Sequence, residues 1–236
     1  MRPLDSTPGI DLAEISTRWT SIQEPDRFVL RYSPAILAYL TAILRNDDDA
    51  QDVAQEFFIK FVERGLPRAS QDRGRFRDYL KVAVRNAALS HLRKKRTPQS
   101  EPEILAAIPD QTLHDADLEM TRAWKKCVLD KLWRSLESHQ RRNPGNYCYD
   151  VLKVSLDHPQ EDSTRQAEIV SLAVGRELSP AAFRKQRSRA RQTAAEILRD
   201  EVRSTLEFPT PEELEAELAD LELLELLRDY LTESDA

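Results

Sequence analysis

Apolar residues recur at intervals of three and four along nearly the whole of this chain, and runs alternating apolar with polar are essentially missing. Such spacing lines one face of a 3.6-residue helix, whereas a half-buried strand needs a period of two. The sequence therefore predicts an all-α protein. Glycine use agrees: of five glycines in 236 residues, Gly65, Gly74, Gly145 and Gly175 fall where a helical period stops or starts.

The first block runs from about residue 11 to 96. Ser33 as cap and Pro34 at the first helical position predict a helix to about Leu44. Asp47, Asp48 and Asp49 suit the start of the next helix, whose stripe is Ala50, Val53, Ala54, Phe57, Phe58, Phe61 and Val62. Asp49, Asp52, Gln55, Glu56, Lys60 and Glu63 are left facing outward, and Gly65 with Pro67 stops the helix. A third helix from about Arg75 to Arg93 is expected to bury Phe76, Tyr79, Leu80, Ala83, Val84, Ala87, Ala88 and His91. Residues 97–117 contain Pro98, Pro102 and Pro109 with little periodicity and read as a linker. A second block, 118–206, opens with a helix carrying Leu118, Trp124, Val128, Leu129, Leu132, Trp133 and Leu136, broken at Arg141 to Gly145. A short helix over Tyr149 to Leu156 precedes two more, Thr164 to Val174 and Pro180 to Thr205, separated by a Gly175 turn. Residues 207–236 predict one final helix, begun by a capping box of Thr210 and Glu213, with a stripe of Leu214, Leu218, Leu221, Leu224, Leu227 and Leu231.

Charge is unevenly divided. The chain sums to −6, but Glu207 to Ala236 holds eleven acids and one base. Removing that net −10 leaves +4 on the other 206 residues. Arg73 to Arg96 alone has nine Lys/Arg against Asp78, and Arg184, Lys185, Arg187, Arg189 and Arg191 put five cations into eight residues. Screening over roughly 8–10 Å makes local charge, not the total, decide what binds. On this reading the basic third helix suits phosphates, and the acidic face of the second suits a cationic protein. Two core helices with solvated charged faces would also satisfy these observations.

The strings DAQDVAQEFFIKFVE and GRFRDYLKVAVRNAALSHLRKKR resemble the second conserved region of extracytoplasmic-function (ECF) sigma factors. They look most similar to the planctomycete group, with its "DLTQEFF" and "RGRFRSFL" pair. Thr17-Arg18-Trp19 resembles a Thr-x-Trp near the start of that group. The similarity covers Trp19 to Arg96 and resumes more weakly over Trp124 to Thr205. It implies that Asp49, Asp52, Gln55 and Glu56 dock on the clamp coiled coil of the largest subunit of core RNA polymerase. It also implies that the basic helix holds the melted promoter element, with flipped bases captured partly by the loop from Pro67 to Gly74. The residues expected at that DNA are Arg75, Arg77, Lys81, Arg85, Asn86, Arg93, Lys94, Lys95 and Arg96. Asn86 reads either as a base reader or as an ordinary polar helix residue, while the cations hold phosphates.

RQAEIVSLAVGRELSPAAFRKQRSRARQTAAEIL has the plan of a helix-turn-helix, whose second helix enters the major groove. It resembles the fourth conserved region of the same family, which reads the upstream promoter element. Ser179, Arg184, Lys185, Arg187, Ser188 and Arg191 are the residues expected there. The turn from Val174 to Ser179 is longer than the family's usual one, which leaves the groove register open.

The acidic segment has two readings: an amphipathic helix docked on the second domain, or a competitor that covers a basic helix and suppresses DNA binding by the free protein. His91, His114, His139 and His158 lie in no metal-ligand spacing, and no phosphate loop or nucleophile motif occurs, so neither catalysis, metal nor cofactor is expected. Cys127 and Cys148 read as small buried hydrophobes. No run reaches the roughly 18–20 apolar residues of a membrane span, the first ten residues do not read as a secretion signal, and a cytoplasmic setting is expected. The resulting expectation is a sigma factor that partners core RNA polymerase and promoter DNA, with an anti-sigma protein or a regulatory kinase as further conceivable partners. A helix-turn-helix regulator acting without polymerase and a protein-only adaptor are the alternatives.

Overall fold

A computed structural model describes residues 25–64, 75–95, 108–206 and 209–231. The expected features at Thr17 to Trp19, Gly65 to Gly74, Arg96 and residues 97–107 lie outside the described residues. The described residues form nine helices and no strand, as the period of three and four predicted.

Helix α1 (Pro25–Leu44) runs straight through Pro34, so Ser33–Pro34 does not begin it. An interior proline forfeits a backbone hydrogen bond and crowds the preceding turn, at a cost of about 3 kcal/mol. Pro34 is exposed, while Tyr32, Ala35, Ile36, Tyr39, Leu40 and Ile43 are buried on the opposite side. Their burial, mostly against α4, holds the helix together across the proline. Asn46 then caps α2 (Asp47–Arg64), its Oδ1 accepting from the Asp49 backbone N–H at 3.0 Å. Ala50, Val53, Ala54 and Phe61 of α2 are buried and Phe57 and Phe58 half-buried. Val62, expected in the stripe, is 46% exposed because it lies one position beyond the buried arc. Helix α3 (Phe76–Lys95) buries Phe76, Leu80, Val84, Ala88 and Leu89; Tyr79, Ala83, Ala87 and His91 are only half-buried.

Helix α4 (Asp110–Arg142) starts inside the stretch expected to be linker. Thr112, Ala116 and Met120 are buried at four-residue spacing, and Thr112 Oγ1 accepts from Arg45 Nη2 at 2.9 Å. Within the expected linker, the small side chains of Thr112 and Ala116 carry too little hydrophobic signal to stand out beside prolines and acids. Leu118, by contrast, points outward at 43% exposure. Trp124 is fully buried, stacked on Tyr32 at 4.2 Å between ring centroids, with Phe76 at 6.0 Å. Three aromatic rings thus join α1, α3 and α4.

Past Gly145, α5 (Cys148–Asp157) is anchored by Gln140, whose Oε1 accepts from the backbone N–H groups of Tyr149 and Asp150 at 3.0 and 3.2 Å. Helix α6 (Ser163–Val174) is capped by Asp162 and ends at Gly175, with φ +66 in the left-handed region that glycine adopts without strain. Ser179 and Pro180 start α7 (Pro180–Arg203) as expected. Val151, Val154, Ala167, Val170 and Phe183 form a small core shared by α5, α6 and the start of α7. Farther along α7, Ala190, Ala195, Leu198 and Val202 join the large cluster containing α1 to α4.

The acidic segment is two helices, α8 (Pro211–Asp220) and α9 (Leu224–Leu231), not one. The capping box forms, but Glu222 takes φ +52 and breaks the period, so that Leu223 becomes buried along with Leu214, Leu218, Leu221 and Leu227. Leu224 is half-buried. One buried cluster therefore runs from α1 to α9, taking in residues on both sides of 97–117.

Candidate nucleic-acid and partner interface

Helices α2 and α3 pack side by side with the start of one near the end of the other, and ion pairs mark that edge. Lys95 Nζ pairs with Asp49, and His91 Nε2 stands 3.4 Å from the same carboxylate. Glu56 Oε1 accepts from Lys60 at 2.6 Å and from Lys94 at 3.4 Å. Lys95 above all, then His91, holds the Asp49 carboxyl below the usual range, and Lys60 followed by Lys94 does so for Glu56. The two surfaces expected to be separate thus share a border. Pairs so open to solvent hold weakly, so a stronger partner can take either side. Asp52 and Gln55 are exposed and, among the described residues, have no side-chain partner.

The polar and cationic residues at the head of α3 and along it fall into three groups. Asn86 and Arg93, seven apart, are exposed on one stripe with Val82 and Ser90, while Lys94 and Lys95 are exposed beside α2 and Lys81 is half-buried. Arg85 turns inward: its Nε donates to the Tyr39 hydroxyl at 3.0 Å and its Nη2 reaches Asp117 at 3.4 Å. Burial raises the Tyr39 phenol pKa, and the Arg85 hydrogen bond opposes that rise.

Arg75 and Arg77 form the third group. Arg77 is buried, its Nε and Nη2 gripping the two oxygens of Glu217 at 3.1 and 3.0 Å while Nη1 donates to Thr121 Oγ1 at 3.0 Å. Arg75 Nη1 lies 3.2 Å from Glu217 Oε2 and also pairs with Asp220. Glu217 and Asp220 of α8 and Thr121 of α4 escaped the reading of the sequence. A signal existed: Glu217 stands three residues after Leu214 and four before Leu221 on the buried face of α8. An acid at such a position requires a buried cationic partner.

On α7, Phe183 and Ala190 face inward, leaving Arg184, Lys185, Ser188, Arg189 and Arg191 exposed on the outer side. Arg187 is half-buried over the Phe183 ring at 5.6 Å and donates to Gln166 Oε1 at 3.3 Å. Arg184 donates to Ser163 Oγ at 3.0 Å, tying the start of α7 to that of α6. Ser179 uses its hydroxyl as the α7 cap, accepting from the Ala182 N–H at 3.2 Å. In the turn, Ser171 Oγ accepts from the Leu178 N–H at 2.9 Å, so the six residues from Val174 to Ser179 are held by a fixed hydrogen bond.

Residues 28–97, spanning most of α1 and all of α2 and α3, match the family model for sigma-70 region 2. The match supports a sigma-70 family factor. Factors of that family act in transcription initiation through core RNA polymerase and promoters, and in general are not enzymes. No curated protein and no solved structure matches the chain. Among the described residues, no group of three His, Cys, Asp or Glu side chains could hold a metal ion, and no helix is long and apolar enough to cross a membrane.

Proposed function

We propose that the chain is a sigma factor of the ECF type with two contacts on DNA and one on polymerase. The exposed acidic face of α2, led by Asp52 and Gln55 with Glu56, docks on a basic helical surface of core polymerase. Opposite charge across such a contact speeds and orients encounter. The Asn86–Arg93 stripe of α3, with Lys94 and Lys95, holds the melted promoter element. The outer side of α7, Arg184 to Arg191, enters the major groove at the upstream element, where an Arg paired bidentately with guanine discriminates by about 1–3 kcal/mol. The observation that carries this reading is the sigma-70 region 2 match over 28–97, in which α2 is acidic outside and α3 basic.

Reconstitution with core polymerase tests it. The chain is expected to support run-off transcription from a specific promoter. Asp52→Lys combined with Gln55→Lys is expected to cut core binding at least tenfold, about 1.4 kcal/mol. Neither side chain has a partner among the described residues, so the fold is not at stake. A folded double variant that binds core as well as the parent would remove α2 as the docking face.

A further inference from the structure

Within the sigma-factor reading, on which this inference rests, Arg75 and Arg77 present a contradiction: they begin the DNA-binding helix yet spend their charge on α8. Two guanidinium groups from alternate positions converge on one fully buried carboxylate, Glu217, and a second carboxylate, Asp220, closes the outer side. The planar fork that grips Glu217 bidentately is equally matched to a phosphate. Thr121 Oγ1 orients Arg77 and leaves its Nε–Nη2 edge aimed at the acid.

We propose that Arg75 and Arg77 are a backbone-phosphate site for promoter DNA, and that α8 fills it in cis with Glu217 and Asp220 while the factor is free. The segment suits that role twice over. Its buried side holds the two arginines, with Leu214, Leu218, Leu221, Leu223 and Leu227 seated in the main cluster and Lys125 Nζ fixed to Glu222 at 2.9 Å. Its outer side leaves Glu212, Glu213 and Glu215 exposed, which repel an approaching phosphate chain. DNA reaches the arginines when α8 lifts, so the closed population lowers apparent affinity in proportion to the fraction that is open.

The full-length chain carrying Glu217→Gln and Asp220→Asn keeps side-chain shape and loses both charges. Binding of a mixed-sequence single-stranded oligodeoxynucleotide is measured from about 50 to 200 mM salt. The double variant is expected to bind about tenfold tighter than the parent, with a salt slope steeper by roughly one per arginine released. Adding Arg75→Gln and Arg77→Gln to the double variant should return both values to the parental ones. Should Glu217→Gln unfold the chain, Asp220→Asn alone, at a half-exposed position, is expected to steepen the slope by about one. Unchanged affinity and slope in the folded variant overturn the proposal, as does a gain that persists without the two arginines. Run-off transcription by the parent separates the two readings: its absence removes the sigma assignment, whereas its presence beside an inert double variant removes only the α8 mask.

Discussion

Lys131 carries its ammonium into the junction of α1, α4 and α7, where Glu201 Oε2 stands 2.6 Å away and Arg31 pairs with the same acid. Burial first, then the like charges of Arg31 and Arg134, pulls its pKa down from 10.5 to about 7. Below about 7 the folded and unfolded chains both keep the proton, and the full cost of the buried charge is present. As the pH rises from there toward 10.5, only the unfolded chain keeps it, so folding gains stability, by at most about 1.4 kcal/mol per pH unit. Lys131→Met is expected to flatten that rise in denaturation curves between about pH 7 and 9; parallel curves for the two proteins would refute it. Arg77 obeys a different rule. Removing it leaves the buried Glu217 with half-exposed Arg75 as its cationic partner, so Arg77→Met should cost up to about 3–5 kcal/mol, and pairing it with Glu217→Met should recover most of the loss.

At the scale of elements, the caps Ser179 and Thr210 each accept a backbone hydrogen bond that can be removed. Ser179→Ala deletes the acceptor of the Ala182 N–H at the head of α7 and is expected to cost about 1 kcal/mol in chemical denaturation. The same change should leave DNA affinity of the folded protein within a factor of two or so if Ser179 serves only as cap; a larger drop would make it a groove contact as well. Caps and first-turn acids are local chemistry, which is why α2, α7 and α8 were legible to within a residue or two at their starts. Pro34 misled for the same reason: its local meaning is a helix start, but the buried stripe of α1 on α4 outweighs it. The α8–α9 break escaped because leucines at 221, 223 and 224 fit more than one register, and only packing against α7 selects between them.

For the molecule as a whole, the aromatic cluster of Tyr32, Phe76 and Trp124 makes α1, α3 and α4 interdependent, and α7 to α9 share the same buried cluster. Thermal unfolding is therefore expected to show one cooperative transition for α1–α4 together with the end of α7. Trp124→Ala should lower its stability by about 3–5 kcal/mol without splitting it. Two well-separated transitions, one for each half of the chain, would contradict this.

The sequence by itself determined the helical class, the basic character of α3 and α7, the acidic outer face of α2 and the capped turn between α6 and α7. Each of these depends on neighbours within a few residues, where spacing and side-chain chemistry suffice. Tertiary structure alone decided which charges remain available. Arg75 and Arg77 meet carboxylates more than a hundred residues away, Arg85 meets Tyr39 and Asp117, and Lys94 and Lys95 meet the acids of α2. A charge pair is a relation between two places in space. Its cost or benefit depends on burial, and neither quantity is written in local periodicity.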